Sequence, residues 1–550
     1  MTSGDEWSEL RQRLEILPRG LQQLYQQMWL RLNEDEEIYR AEASSYFNMA
    51  IEAMSELASG SSDEAISLYD FAILTDETLQ RAFLEEENPP PEEKMVEVCR
   101  RLRTRVEVRC AGLLEFHPNA DSLWMHKIKA ANPTAVLEED DAKTVQLDFI
   151  HRTARDFLLQ TEEGQAILHY DPMPIEQRYT RVIRTQLSRI IWQKTVRDLS
   201  RFISQLRSAR RPVSVAREQE LLHIYERMTE RRYLIPDLDL RSYRGRYIKV
   251  RRGGGDFLGV AAMFGCLELI QRKLTGAQAT IEYKTYLLHR ASCWLGGSRV
   301  DTHRDSKTLR QTNGALIGWL LDNGADPNLR VYNPWQPSYW RSAFTGLLVN
   351  ALFGPLRRYG DVDEFREELL NIVEIFLAHD ADLSSTTYLA VNARNNYEFY
   401  PGDWGVAYPE HWDRLVLLEV NVAELFHMAI ISCSQGDATK DNILDDWSHR
   451  ITCQRYRKVL LVCGSRKAAT VTNDDSSYIL EALDTLQAAM SSNDGKTVES
   501  VARLKDEVER RIDQSFKTGE KVDPKEFLTK KKLMASEATV DLFPPEMSLR

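Results

Sequence analysis

Between Leu17 and Leu32 the apolar residues Leu17, Leu21, Leu24, Tyr25, Met28 and Leu32 recur at three- and four-residue spacing, which predicts an amphipathic helix. Pro18 fits its first turn, where no amide partner is lost. A second helix is expected from about Arg40 to Ala58, burying Tyr46, Phe47, Ala50, Ile51, Met54 and Leu57. SGSSDE then resets the chain, with Asp63 available as a cap, and short helices continue through Phe83. EEENPPPEEK, residues 85–94, joins like charges to three prolines and reads as an extended connector. Beyond it the period changes from helical to alternating. The apolar segment Gly112 to Phe116 and the alternating Val145 to Phe149 are expected as two strands able to pair. A helix carrying Thr153, Ala154, Phe157 and Leu158 follows. Helices leading into a hairpin are the arrangement of a winged-helix module.

Residues 175–235 interleave arginine with Ile183, Leu187, Ile190, Ile191, Trp192, Val196, Leu199, Phe202 and Leu206, so helical hairpins are expected that pack one face and leave the arginines in water. RSYRGRYIKVRRGGG, residues 241–255, is basic and ends in three glycines, which places a domain boundary there. Weak self-similarity follows. DFLGVAAMFGCLELIQRKL has small residues Ala261 and Ala262 before a break at Gly265. LIGWLLDNGADPN closes a helix with Gly324, Ala325 and Asp326, and VEIFLAHDADL repeats that ending with His379 and Asp380 in the places of Asn323 and Gly324. These segments resemble ankyrin repeats. About four degenerate copies are expected over 251–400, with 352–368 inserted between an FTGLLVNA first helix and its second helix. In such repeats each apolar face is buried only by its neighbours, and the turns and inner helices form an elongated partner-binding surface.

In the first half, LPRGLQQLY (Leu17 to Tyr25), CAGLLE (Cys110 to Glu115) and FIHRTARDFL (Phe149 to Leu158) together resemble the region that follows the NACHT nucleotide-binding motor in fungal NOD-like receptor (STAND) proteins. Those proteins often carry ankyrin repeats further on. The resemblance implies a helical, winged-helix-like regulatory region and a role in non-self recognition or NOD-like receptor signalling. The phosphate-cradling GxxxxGK[ST] loop of such a motor does not occur in these 550 residues. Gly253-Gly254-Gly255 lacks the following lysine, and VCGSRK at 462–467 has a single glycine. No nucleotide chemistry is therefore carried over. The alternative is that the chain is the C-terminal part of a NACHT NTPase whose P-loop motor lies outside it.

Composition adds exclusions. A 43% hydrophobic, 28% charged chain with net charge −12 is ordinary globular protein without overall affinity for phosphate or anionic lipid. Seven scattered cysteines, never spaced as CxxC, suggest neither a disulfide framework nor a zinc site and fit a reducing, cytoplasmic setting. No window reaches the ~18 apolar residues of a membrane span. His151 follows a strand and precedes a helix, and reads as a structural histidine bonded to backbone rather than a general base. Cys110, His117 and His126 match no metal-ligand spacing. Glu138 to Asp141 reads as a solvated loop, and the basic residues 241–252 as a linker rather than a nucleic-acid contact. The remaining candidate is LRVYNPWQPSYWR, directly after the GAD turn, where ankyrin proteins project a loop. Arg330, Tyr332, Trp335, Tyr339, Trp340 and Arg341 combine the aromatic rings and guanidinium groups that dominate protein-binding hot spots, while the same rings packing inward on the body of the protein is the more ordinary reading.

The expected architecture is mainly α. It has a helical and winged-helix-like region over 1–165, a helical connector with basic linker over 166–250, an ankyrin-type solenoid over 251–400, and a helical C-terminal region with a polar tail over 401–550, in which Leu415 to Ile431 is apolar with helical spacing and VESVARLKDEVERRIDQSF, residues 498–516, is expected as an exposed helix. The expected activity is non-catalytic recognition of protein partners, with no cofactor or metal and nucleic acid disfavoured.

Overall fold

The computed structural model describes residues 20–33, 37–57, 66–86, 89–118, 142–143, 145–195, 197–199, 202–203, 206, 213–231, 233–235, 257–275, 279–292, 306–332, 340–353, 362–392, 415–433, 453–464, 467–470 and 521–522, with isolated positions between 447 and 510. The chain divides into two compact units: Met1–Arg197 with Arg211–Leu234, and Asp198–Arg210 with Ile235–Arg550. Most of its described elements are helices.

The first unit opens with α1 (Leu21–Asn33) and α2 (Glu37–Leu57). In α2 Tyr46, Phe47 and Ala50 are buried as the periodicity predicts and Ile51 and Met54 are half-buried, whereas in α1 Tyr25 is buried together with Trp29, which lies outside the predicted stripe, and Leu21 is exposed. Asp63 lies outside the described residues. The cap seen is Ser67, whose Oγ accepts from Asp70 N at 3.0 Å while Asp70 Oδ2 accepts from Ser67 N at 3.1 Å, a reciprocal capping box that starts α3 (Leu68–Thr75). Asp76 caps α4 (Glu77–Glu85) through the amides of Thr78 and Leu79. After the proline connector, α5 (Glu92–Arg109) begins behind Pro91.

Ala111 and Gly112 then both adopt positive φ, 55° and 71°, and turn the chain into β1 (Leu114–Pro118). This strand pairs antiparallel with β2 (Val145–Phe149), Leu114 opposite Phe149 and Phe116 opposite Leu147. Along β2, Val145, Leu147 and Phe149 are buried and Asp148 is exposed, the alternation the sequence carries. α6 (Arg152–Gln160) and α7 (Glu162–Leu168) follow, then α8 (Ile175–Trp192) and α9 (Val215–Glu230).

The expectation that the arginines of α8 stay in water fails at two positions. Arg184 and Arg189 are 5% and 7% exposed. Each is buried because carboxylates from distant elements meet it. Arg184 lies 3.0 Å from Glu220 of α9 and 3.5 Å from Glu85 of α4, and Arg189 lies 2.6 Å from Asp70 of α3. A guanidinium so paired can enter an interior that would otherwise reject it.

The second unit is a stack of helix pairs: α10 (Phe257–Met263) and α11 (Leu267–Thr275), α12 (Ile281–Ser292) and α13 (Ser306–Asp322), α14 (Ala343–Phe353) and α15 (Val362–Ala378). The first members pack on one another in a row, α10 on α12 on α14, and the second members form a parallel row, α11 on α13 on α15. Close approach in the first row is permitted at Gly346 of α14, where a Cβ would stand 3.3 Å from Nε2 of the buried His289. Phe344 and Phe376 stack at 5.0 Å between the rows.

The stack runs into a five-stranded antiparallel sheet. Its strands are β5 (Thr386–Asn392), β6 (Leu415–Asn421), β7 (Arg457–Gly464), β8 (Lys467–Thr470) and β9 (Lys521–Val522), in the order β9-β8-β7-β6-β5. The short strands β3 (Val331–Tyr332) and β4 (Trp340–Arg341) form a separate hairpin ahead of α14. Here the helical expectation for 401–550 is corrected. Leu415 to Ile431 is not one apolar helix but strand β6 followed at once by α16 (Val422–Cys433). Asn421 makes the break, since its Oδ1 accepts from Glu424 N at 2.9 Å and from Tyr456 N at 3.1 Å. α16 packs on α14 and so continues the first row. The polar helix expected around residues 498–516 lies outside the described residues apart from position 510.

Candidate functional site

The helix-closing turns of α13 and α15 are built alike. Gly324 N donates to Leu321 O and Ala325 N to Leu320 O, and Asp380 N donates to Leu377 O and Ala381 N to Phe376 O. Gly324 has φ +87° and Asp380 φ +59°, so the aspartate that replaces glycine in the second copy takes the same left-handed conformation. After each turn an aspartate closes a short loop on its own backbone: Asp326 accepts from Asn328 N, and Asp382 from Ser384 N, each at 2.8 Å.

Asn328 joins the two turns. Its Nδ2 donates to Asp380 O at 2.8 Å, and its Oδ1 accepts from Asp382 N at 2.7 Å. On the preceding side Asp326 N donates to Thr285 Oγ1 of α12 at 2.9 Å. A second tie runs between helix ends, from His379 Nε2 to Asp322 Oδ1 at 3.0 Å. The other ring nitrogen of His379 donates to Ile375 O at 2.8 Å. That backbone bond raises the imidazole pKa above its usual value, burial opposes it, and the Asp322 carboxylate adds to the rise. Sequence reasoning found the turns but not these ties. Their visible signals were an Asp two residues before an amide-bearing Asn or Ser, and a His at a helix C-terminus.

From this ladder the chain enters the β3–β4 hairpin, with Val331 opposite Arg341 and Tyr332 opposite Trp340. The backbone thus brings Tyr332, Trp340 and Arg341 together at the base of one finger. Trp335 and Tyr339 lie outside the described residues. Arg330 is exposed at the finger's entry, and its Nη2 donates to Thr386 O of β5 at 3.0 Å, so part of its hydrogen-bonding capacity anchors the finger to the sheet.

In the first unit the three segments LPRGLQQLY, CAGLLE and FIHRTARDFL converge. Tyr25 Oη lies 2.7 Å from Thr153 Oγ1, and the Tyr25 and Phe157 rings sit 5.8 Å apart. Met28 of α1 reaches Gly112, and Ile150 N donates to Leu113 O at 3.1 Å. His151 is the cap of α6, its Nδ1 accepting from Thr153 N at 3.2 Å and lying 2.9 Å from Thr153 Oγ1.

The other candidates stand apart. Cys110 is fully buried at the end of α5, and burial pushes its thiol pKa well above the usual range, which disfavours the thiolate that a metal would need. His117 is exposed, 3.7 Å from Glu115, and His126 lies outside the described residues. Residues 138–141 and 241–255 also lie outside them. Among the described residues no group of three or more His, Cys, Asp and Glu is placed to hold a metal, and no helix is long and apolar enough to cross a membrane. VCGSRK spans the end of β7 and the start of β8, two paired antiparallel strands, whereas a phosphate loop runs from strand to helix.

Residues 35–177 match a family described as a domain of unknown function (DUF7791), and the matched stretch runs from the start of α2 into α8. No curated protein and no solved structure matches the chain.

Proposed function

We propose that the chain is a non-catalytic regulatory and scaffold protein that recognises protein partners through ankyrin-like repeats in its second unit. One observation carries this reading: two like-built turns, tied in register by Asn328 and followed by the paired strands β3 and β4, on a double row of stacked helices. Stacked pairs of this kind bury their apolar faces against neighbours and leave turns and loops in a line for contact. The finger at 330–341 is the contact surface, and Tyr332, Trp335, Tyr339, Trp340 and Arg341 are its recognition residues, with Arg330 setting the finger against the sheet. The convergence of the three N-terminal segments supports their belonging to one regulatory module, as the resemblance to fungal NACHT proteins implies. Partner binding in the second unit then acts by favouring one state of that module.

The test is a pull-down with the full chain and with the Trp335→Ala/Trp340→Ala double variant, after circular dichroism and thermal unfolding have shown equal folding. Selective loss of a partner from the variant supports the reading. Undiminished capture of every partner overturns the finger as the contact.

A further inference from the structure

A kinase that reads charge on the N-terminal side of its acceptor needs an arginine at a fixed distance, an extended backbone at the hydroxyl, and a hydroxyl open to solvent. Ser214 stands three residues after Arg211 and four after Arg210, in RSARRPVSVARE. Among the described residues two other hydroxyls follow an arginine by three positions, Thr104 and Thr275. Both lie in helices and donate to the carbonyl four residues back, Thr104 to Arg100 O at 3.3 Å and Thr275 to Gln271 O. Ser214 is placed otherwise. It is exposed, its backbone is extended at φ −61° and ψ 150°, and its side chain caps no amide of α9. Val215, which follows it, is 53% exposed, an apolar side chain that the fold leaves in water.

The main chain of Ser214 has a structural task. Its amide donates to Glu176 Oε1 at 2.7 Å, which ties the start of α9 to the first turn of α8 within the first unit. Hydrogen bonding from Ser214 holds the Glu176 carboxyl below the usual carboxylate range, so the acceptor is charged at neutral pH. Arg217, one turn along α9, is engaged with Glu220 at 2.7 Å, and Glu220 also meets the buried Arg184 at 3.0 Å.

We propose that Ser214 is a phosphorylation site for an arginine-directed serine kinase, and that the phosphate releases the start of α9 from Glu176. In the transfer Ser214 Oγ bonds to the terminal phosphorus of ATP as the bond from that phosphorus to its bridging oxygen breaks. ADP leaves, and the hydroxyl proton passes to the kinase's base. The product carries a charge of about −1.5 to −2 on the residue whose amide the Glu176 carboxylate accepts from. The two like charges therefore cannot draw apart without breaking that bond. α9 itself survives, because negative charge ahead of a helix's first turn is favourable.

The experiment uses the full chain as wild type, Ser214→Ala, Arg211→Ala and Glu176→Gln, with MgATP and a purified arginine-directed kinase chosen for its activity on a synthetic peptide of residues 207–218. Fragment mass spectra locate the phosphate. Wild type and Glu176→Gln are expected to take one phosphate at Ser214, Ser214→Ala none there, and Arg211→Ala to react at least about tenfold more slowly. Hydrogen exchange then reads the tie. Phosphorylation is expected to speed exchange of the Ser214 amide about tenfold in the wild type, to change it far less in Glu176→Gln, and to leave the interior of α9 protected. A kinase that modifies the peptide but not Ser214 of the folded chain would overturn the assignment. Unchanged exchange in the phosphorylated wild type, or an equal change in Glu176→Gln, would overturn the release.

Discussion

Replacing Arg189 by methionine removes a charge from the interior while keeping most of the side chain's length. Arg189 Nη2 lies 2.6 Å from Asp70 Oδ2, with the two side chains 9% and 2% exposed. Asp70 also accepts from Ser67 N at 3.1 Å and, through Oδ1, from Trp192 Nε1 at 3.2 Å. In Arg189→Met the neutral donors remain, but the carboxylate loses its counter-charge where water does not reach. Breaking a buried pair by removing one partner costs roughly 3–5 kcal/mol, and the surviving donors place this case near the lower end, about 3 kcal/mol. With a urea dependence of about 2–3 kcal/mol/M, the midpoint should fall by about 1–1.5 M. Asp70→Asn in the same background removes the stranded charge, so the double variant should cost less than the sum of the singles by about 1–3 kcal/mol. Urea titration of the full chain by near-UV circular dichroism measures the midpoint. Amide exchange in α3 and α8 assigns the transition to the first unit, since two units need not unfold together. A single-variant cost under about 1 kcal/mol, or additivity of the two changes within about 0.5 kcal/mol, would refute the reasoning.

Two further outcomes concern the repeat turns. Asp380→Gly should raise the thermal stability of the second unit by about 0.5–1 kcal/mol by relieving a left-handed aspartate, and Gly324→Ala should lower it by about 1–2 kcal/mol. A Cβ at Gly324 meets nothing within 4 Å, so the second cost is purely conformational, and equal melting of both variants would contradict it. His379 has a raised pKa in the folded chain, owing first to its bond to Ile375 O and then to Asp322. Its contribution is therefore complete below the unfolded pKa of about 6.5 and is lost as pH rises through the higher folded value. Thermal unfolding from about pH 5.5 to 8.5 should show this loss in the wild type and not in His379→Gln, and parallel curves would remove His379 from the account.

Local patterns carried much of this architecture because their causes are local. The helix at Glu37–Leu57, the alternation of β2 and the GAD turn each follow from side chains a few residues apart. Arg184 and Arg189 were illegible because their partners lie far off in sequence, Asp70 being 119 residues from Arg189, and helical spacing says only which face a residue occupies. Leu415 to Ile431 misled for another reason. A continuous apolar run suits a buried strand and a buried helix equally, and only Asn421 with Glu424 three residues later signals a helix starting in its middle. At the candidate surface, aromatic composition singled out residues 329–341 as a loop, and the pairing of Val331 and Tyr332 with Trp340 and Arg341 was not foreseen. The Arg330 bond to Thr386 O depends on β5 lying alongside, which no local pattern reveals.

Asn328 engages both the carbonyl and an amide of the following turn through the two ends of one carboxamide. Opening either turn therefore releases a donor and an acceptor of the other to water, so fraying at one repeat loosens the next instead of stopping at its boundary. The stack should come apart as a zipper does, with the Asp382 amide exchanging at the pace set by its upstream neighbour.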